Sequence, residues 1–295
     1  MAHSIAGVLQ FQLFQIPMVG DTCGFMCIRG AVGNTDKELC NRCMQLSAFT
    51  PFYRNHNQRG ALSQGPYGWD SVASASKTAI SIRYALLPYW YTLFANASTN
   101  CTPPVRALFF EFPDEPELFA VDRQFMVGSD ILVTPVLEPN VSTVDGIFLG
   151  RGQITWRDWY THTAVNATVG APTTLSAPLG HVNVHIRAGA ALLTHAQPAY
   201  TTSETRAGPY ALLVALGVDV AAYGTAYLDD GTSLPLPDSP IANRTVRFIV
   251  HAGALTIEST GTFRVEQPLA RVTVLGVPSA PGSVFVGGQE AARGG

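Results

Sequence analysis

The sequence has few charged residues, and lysine is the scarcest of them. Asp, Glu, Lys and Arg make up 13% of the 295 residues, about half of the roughly 25% that is usual for soluble domains. Lys37 and Lys77 are the only lysines, the arginines are scattered, and the net charge is −3, so we expect no basic surface for nucleic-acid phosphates. Hydrophobic residues reach 47%, which excludes a disordered chain.

Long apolar runs are also absent. No stretch reaches the ~18 uninterrupted apolar residues of a membrane span. The segment from Ile5 to Gly20 contains three glutamines and no basic start, so we expect no signal peptide in this chain.

Five Asn-X-Ser/Thr sequons nevertheless indicate a secretory protein. Because sequons occur without a leader, we expect the natural protein to begin upstream of Met1. The expected glycosylation sites are Asn96, Asn100, Asn140, Asn166 and Asn243.

The five cysteines leave three interpretations open. Cys23 and Cys27 lie close to the pair Cys40 and Cys43, and the fifth is Cys101. The first four could bind zinc, but their spacing is loose and Cys40 and Cys43 fall in a helical pattern. A disulfide and buried thiols are the alternatives that we favour over zinc.

Residues 1–100 predict helices alternating with short strands. Ile5 and Leu9 begin a helical stripe that Pro17 ends. The apolar run Ile16–Val19 predicts a short buried strand.

Two further helices are predicted in the same region. One is capped by Asn34 or Thr35, the residues that precede its acidic first turn. The other begins near Asp70 and continues to about Ala95, with a kink at Pro88.

From Thr102 onward the pattern changes to short apolar runs between Pro, Gly and Asp turns. At this spacing the runs predict antiparallel β-sandwich structure. They are Ala107–Phe112, Ile131–Leu137, Val182–Ile186, Ala211–Leu216, Ala226–Leu228, Val246–Val250, Leu255–Glu258 and Arg271–Leu275.

Three smaller features of this region have structural interpretations. His181 and His185 alternate with apolar residues and predict the solvent-facing side of a strand rather than a metal site. Asp229 and Asp230 precede a glycine and predict a hairpin turn. The glycine-rich end, Gly287–Gly295, predicts a frayed tail.

Three polar residues are candidates for a binding site. Asp21 follows the predicted strand at Ile16–Val19, and Arg54 and His56 follow the run that ends at Tyr53. In a β/α barrel such positions meet at one rim, where they could bind the hydroxyl groups of a sugar. Three apolar side chains are available as walls of the site: Phe25, Phe52 and Trp69. The alternative is an Asp at a turn and an exposed polar loop.

Several longer motifs occur in one order along the chain. They are Ile16-Pro-Met-Val-Gly-Asp-Thr-Cys-Gly-Phe25, Gly33-Asn-Thr-Asp-Lys-Glu-Leu-Cys-Asn-Arg42, Pro51-Phe-Tyr-Arg-Asn-His-Asn57, Ile82-Arg-Tyr-Ala-Leu-Leu-Pro-Tyr89, Phe125-Met-Val-Gly128, Thr134-Pro-Val-Leu137, Val184-His-Ile-Arg-Ala-Gly189 and Leu228-Asp-Asp-Gly231. Together they resemble the carboxyl-terminal portion of a fungal-type glycoside hydrolase family 31 α-glucosidase.

The resemblance implies an α/β plus all-β fold, in which the end of a (β/α)8 TIM barrel precedes two antiparallel β-sandwich domains. Residues 1–100 would be the last two β/α units of the barrel. Residues 101–196 would form the proximal β-sandwich, and residues 197–295 the distal one. Two β/α units cannot close a barrel by themselves, since their strands would have exposed edges.

The resemblance also implies exo-hydrolysis of terminal α-linked glucose with retention of configuration. Asp21, Arg54 and His56 match glucose-binding positions, and Cys23 and Cys40 match a disulfide pair. Retaining hydrolysis needs two carboxylates, which the family carries in Trp-x-Asp-Met-Asn-Glu and Gly-Asp-Asn motifs. Neither motif occurs in these 295 residues, so we expect this chain alone to be inactive and we assign it no catalytic residue.

The remaining expectations follow from the same resemblance. The ligands would be maltose-like α-glucosides, the partner an amino-terminal catalytic portion, and the location secreted or bound to the cell wall. We expect no metal, cofactor, nucleic acid or membrane. The alternative function is that of a non-catalytic β-sandwich protein that binds glycans or a partner through residues 101–295.

Overall fold

A computed structural model of the chain describes residues 1–20, 36–56, 59, 63–234 and 240–291. None of the helices in these ranges is long and apolar enough to cross a membrane. The helices are α1 (Ala2–Leu13), α2 (Lys37–Ser47), α3 (Asp70–Ala85), α4 (Leu87–Asn100), α5 (Leu108–Glu111) and α6 (Thr202–Ala207), with 3-10 turns at Pro66–Gly68 and Pro116–Leu118.

The rest of the described chain is mainly β-structure. The strands are β1 (Val105–Arg106), β2 (Phe125–Val127), β3 (Ile131–Thr134), β4 (Thr143–Gly146), β5 (Trp156–Asp158), β6 (Thr173–Ser176), β7 (Asn183–Arg187), β8 (Ala190–His195), β9 (Tyr210–Ala215), β10 (Ala222–Leu228), β11 (Arg244–His251), β12 (Ala254–Gly261), β13 (Leu269–Leu275), β14 (Phe285–Val286) and β15 (Gln289–Glu290).

These strands form two larger sheets. One has the order β1-β2-β3-β7-β5 and is antiparallel throughout. The other has the order β12-β11-β10-β8-β9-β13, in which β8 pairs in parallel with β10, and β9 with β13. Strand β8 lies before residue 196, within the expected proximal domain. Its sheet partners, β9 and β10, lie after that residue, within the expected distal domain. The pairs β4–β6 and β14–β15 form small two-stranded sheets.

The first predicted helix is confirmed, but the strand predicted after it is wrong. Helix α1 ends at Leu13, four residues before Pro17. No residue of Ile16–Val19 lies in a strand. Within the described ranges, a single backbone hydrogen bond reaches this segment from a distant residue, from the Phe52 N–H to the Val19 carbonyl at 3.1 Å. One such bond does not make a strand ladder.

The other predicted helices are present with shifted boundaries. Helix α2 is capped by Asp36, whose carboxylate accepts the Leu39 N–H at 2.8 Å. The expected caps, Asn34 and Thr35, lie outside the described residues. The predicted kink at Pro88 is a break at Leu86, which separates α3 from α4 and leaves the proline in the first turn of α4.

Seven of the eight predicted β-runs lie in strands. The exception is Ala107–Phe112, which forms helix α5. The Phe112 N–H donates to the Leu108 carbonyl at 3.1 Å, as in a helical turn. The prediction was wrong because a short apolar run fits a buried helical turn as well as a buried strand.

The predicted solvent-facing position of His185 is also wrong. His185 is only 2% exposed, because β7 lies between β3 and β5 and both of its faces are covered. At the carboxyl end, Gly287 and Gly288 are not a frayed tail. They take positive φ angles of 58° and 84° and turn the hairpin β14–β15.

The Asp229–Gly231 segment is a turn, as predicted, but it opens a longer connection between the antiparallel strands β10 and β11. One Asp229 carboxylate oxygen accepts the Gly231 N–H at 2.7 Å. Asp230 accepts the N–H groups of Thr232 and Ser233, and these hydrogen bonds, with the one from the Ser233 hydroxyl, lower the pKa of its carboxyl to about 2. Both carboxylates therefore stabilise the turn through hydrogen bonds.

The main core joins the helices to both sheets. Its members are buried apolar side chains from α1, α2, α3 and α4, from one face of the five-stranded sheet and from one face of the six-stranded sheet. Separate clusters cover the opposite faces of the two sheets. The predicted order, a helical region followed by two β-domains, is confirmed, but the six-stranded sheet is mixed and not antiparallel as expected.

Arg42 links helix α2 to the β-structure. Its side chain is only 4% exposed and donates to the carbonyls of Val141, Ala177 and Pro178 at 2.9, 3.2 and 3.1 Å. Its Nε lies 3.7 Å from the carboxylate of Glu38. This one guanidinium satisfies three carbonyls more than ninety residues away in the sequence.

We predict that Arg42→Ala lowers the free energy of unfolding by about 3 kcal/mol, since three hydrogen bonds worth about 1 kcal/mol each are lost. Urea denaturation measures the change. The matched control is Arg123→Ala, which removes an exposed arginine paired with Glu138 and should change stability by less than about 1 kcal/mol. Equal urea midpoints for the two variants would contradict the role of Arg42.

We also predict that stability falls with acidification below about pH 6.5. Burial lowers the pKa of His185 and of His195 to about 4, against an ordinary value of 6.5. Between these values the unfolded chain binds more protons than the folded one, so the free energy of unfolding decreases as the pH falls and levels off below about 4. The expected loss is about 2 kcal/mol per histidine between pH 7 and 5.

Urea denaturation of the wild type at both pH values measures this loss. His185→Leu should remove about half of the pH dependence, whereas the exposed His251→Leu should keep it. Identical pH profiles for the wild type and His185→Leu would refute the assignment.

Candidate functional site

Arg83 of helix α3 donates hydrogen bonds to the backbone of the loop that carries Arg54. The Arg83 guanidinium donates to the carbonyls of Ala48, Thr50 and Pro51 at 2.8, 2.6 and 2.8 Å. It also lies over the Trp90 ring, 5.2 Å from its centroid. Burial lowers the pKa of Arg83 to about 10, so the side chain remains charged at neutral pH.

A second contact joins this loop to the segment that precedes Asp21. The Phe52 N–H donates to Val19, and a Cβ atom at Gly20 would lie 1.8 Å from the Phe52 carbonyl oxygen. Only glycine allows the two backbones to approach so closely. Asp21 itself lies outside the described residues, so its place beside Arg54 and His56 stays a prediction.

Arg54 and His56 are both exposed. The residue between them, Asn55, donates to the Gln64 carbonyl at 2.9 Å, and the buried Gln64 side chain donates to the Asn55 side chain and to the His56 carbonyl at 3.2 and 2.9 Å. The backbone is therefore fixed while the two candidate side chains remain free to meet a ligand.

The expected apolar walls differ from one another in the structure. Phe52 is 41% exposed and available to a ligand. Trp69 instead packs against the buried cluster formed by Cys40, Cys43, Met44 and Val72. Phe25 lies outside the described residues.

The cysteine alternatives stay open. Cys40 and Cys43 are buried on helix α2, but Cys23 and Cys27 lie outside the described residues, so the Cys23–Cys40 disulfide stays a prediction. In the part of the chain that the structure describes, no three His, Cys, Asp or Glu side chains are grouped as metal ligands.

No motif in the sequence marks Arg83 or Gln64 as part of the site. A signal for Arg83 was present, because it shares the helical face of the buried Ser76, Ala79 and Leu86. A charged residue on such a face needs partners. Nothing in the sequence pattern singles out Gln64.

The chain matches two protein-family models. Residues 1–93 match the Glycosyl hydrolases family 31 TIM-barrel domain, and residues 101–192 match the Glycosyl hydrolase family 31 C-terminal domain.

Two fungal proteins are similar over nearly the whole chain. An α-glucosidase of Schizosaccharomyces pombe is 51% identical over 290 residues, which are 98% of this chain and 29% of that protein. An α-glucosidase of Aspergillus niger is 51% identical over 292 residues, 98% of this chain and 28% of that protein. The chain spans less than a third of the length of these relatives.

The fold is similar to that of a solved structure of glucosidase II. Its α subunit, bound to α3-Glc2, superposes with a TM-score of 0.82 at 29% identity, covering 94% of this chain and 30% of that one. The similarity therefore extends over helices and both sheets.

We predict that Arg83→Met loosens the loop of residues 48–56. Three carbonyls lose their donor, so amide hydrogen exchange in this loop should become at least about tenfold faster. Lys77→Met is the matched control, because Lys77 is exposed on the same helix. Unchanged exchange in Arg83→Met would mean that the loop does not depend on this side chain.

Proposed function

Because the chain belongs to glycoside hydrolase family 31, we propose that it is the carboxyl-terminal part of a retaining α-glucosidase that releases terminal α-linked glucose. The observation that carries the proposal is the 51% identity to two fungal α-glucosidases across 98% of the chain. In this proposal, residues of this chain form one wall of the glucose-binding site.

In this role Arg54 and His56 bind the hydroxyl groups of the sugar. The guanidinium donates hydrogen bonds, and the imidazole donates or accepts one according to its protonation. Asp21 supplies an acceptor, as the family resemblance implies. Arg83 and Gln64 act as positioning residues because they hold the loop on which Arg54 and His56 stand.

The bond-breaking step requires residues from another part of the protein. Retaining hydrolysis uses two carboxyl groups about 5–5.5 Å apart, one as nucleophile and one as acid and base. The two family motifs that carry these groups do not occur in the sequence. An amino-terminal catalytic portion is therefore the partner that the proposal requires.

The surface around helix α1 fits such a partner. Phe11, Phe14, Ile16 and Met18 expose 46%, 79%, 48% and 60% of their surface. Neighbouring exposed apolar residues of this kind mark interaction surfaces, and the remainder of a β/α barrel would cover them.

We further propose that the whole protein is secreted or bound to the cell wall as a glycoprotein. In support, the candidate asparagines Asn100, Asn140 and Asn166 are exposed. Treatment of the natural protein with a peptide N-glycosidase should reduce its mass; an unchanged mass would exclude N-glycosylation.

We predict that the 295-residue chain alone releases no glucose from maltose above a heat-killed control, at any pH from about 4 to 7. Joined to the amino-terminal portion of the Aspergillus niger relative, it should release glucose. In that joined protein Arg54→Ala should lower kcat/KM by about 10- to 100-fold, the value of one or two charged hydrogen bonds.

The control is Arg59→Ala, which removes a neighbouring exposed arginine and should leave kcat/KM near the wild-type value. If Arg54→Ala is as active as Arg59→Ala, Arg54 does not bind substrate. Turnover by the 295-residue chain alone that disappears in Asp21→Asn would show that Asp21 has a catalytic role.

A further inference from the structure

A cavity of about 550 Å³ lies where helix α4 meets both sheets. Its walls come from α4, from strands β1, β7, β8, β10 and β11, and from the turns that follow β2 and β7. Gly189 and Gly224 are among the residues that line it. A Cβ at Gly224 would lie 1.7 Å from the Ala191 carbonyl, and the space above Gly189 is empty for 4 Å.

Three arginines line this cavity: Arg106, Arg187 and Arg247. The carboxylate of Glu111 forms an ion pair with Arg106 and lies 3.9 Å from Arg187. It therefore fixes two of the guanidinium groups and offsets part of their charge. Arg247 is exposed, and no described residue forms a hydrogen bond or ion pair with its side chain.

Acceptors and an aromatic ring line the same space. Asp130 accepts a hydrogen bond from the Ser129 hydroxyl at 3.0 Å and lies 3.2 Å from the Tyr89 hydroxyl, which leaves its remaining lone pairs for a ligand. Asn96 adds an amide, and Tyr223, 58% exposed, adds an aromatic ring.

We propose that this cavity binds a neutral saccharide. Sugar hydroxyls both donate and accept hydrogen bonds, and the cavity offers guanidinium donors together with a carboxylate acceptor. Its volume lies within the range of about 300–1,000 Å³ for small-molecule sites, and the ring of Tyr223 provides an apolar surface for the faces of the sugar.

An anion fits the same lining less well. A phosphate accepts hydrogen bonds and carries negative charge, so Asp130 in the lining would repel it. Asp130 and Glu111 offset two of the three arginine charges. The inference rests on this lining and not on the proposed hydrolase activity, since it uses neither Arg54 nor His56.

Calorimetric titration of the unglycosylated 295-residue chain with maltose tests the proposal. We expect a Kd on the order of 1 mM. Arg247→Ala and Tyr223→Ala should each weaken binding by about tenfold. Arg271→Ala, on the exposed edge strand β13 of the same sheet and away from the cavity, should bind as the wild type does.

Three outcomes would overturn the proposal. One is the absence of maltose binding by the folded chain. Another is binding that Arg247→Ala and Tyr223→Ala leave unchanged, including binding that only Arg54→Ala abolishes, which would place maltose in the proposed glucose site instead. The third is displacement of maltose by inorganic phosphate, which would identify an anion site.

The saccharide has two possible sources, because Asn96 in the cavity is also an expected glycosylation site. The chain secreted from yeast distinguishes them, together with Ser98→Ala, which removes the sequon through an exposed residue. If maltose binds equally to both secreted proteins, the natural ligand is a free sugar. If it binds only to Ser98→Ala, the glycan on Asn96 occupies the cavity.

Discussion

Helix α4 forms hydrogen bonds with both large sheets, and the rest of the structure depends on these contacts. Its Tyr89 hydroxyl donates to the Val127 carbonyl of the five-stranded sheet at 3.0 Å, while its Thr92 hydroxyl accepts the Tyr227 N–H of the six-stranded sheet at 2.9 Å. Gly128 makes room for this helix, since a Cβ there would lie 2.0 Å from the Tyr89 hydroxyl. One helix therefore makes hydrogen bonds to both sheets and contributes to their relative position.

In the described part of the first hundred residues, helices form but the strand predicted at Ile16–Val19 does not, because helices and strands need different partners. A helix satisfies its backbone groups internally and needs neighbours only for its apolar face. The sheets supply that neighbour to α1, α3 and α4. A barrel strand needs hydrogen-bonding partners on its edges, and in the described ranges Phe52 alone supplies one from a distance.

The local sequence pattern predicts most of the helices and strands. It fails where contacts between distant residues determine the structure. Seven apolar runs were recognised as strands because alternation and turn residues are local properties. The alternating pattern predicts the wrong exposure for His185, since a period of two shows which residues share a face but not whether that face is covered. Asp36 was not chosen as the cap of α2, because three neighbouring residues could each accept the same N–H groups.

In the candidate site, too, the sequence predicts some of the residues and misses others. Arg54 and His56 were identified from a motif, and their exposure agrees with a binding role. The residues that hold their loop were not identified. Arg83 acts on it from 29 positions further along the chain, and Gln64 acts through hydrogen bonds that no periodic pattern encodes. Motifs mark the groups that meet a ligand, whereas the groups that position them depend on the complete fold.

The cavity between helix and sheets lies beside these contacts of α4. Residues of the helix and of both sheets line it, and several of them are polar. A ligand there contacts α4 and both sheets together, and it binds only when the three are assembled. Its binding free energy therefore adds to the stability of that assembly by RT ln(1 + [L]/Kd). In this way the junction of the helix and the two sheets also couples the fold to a ligand.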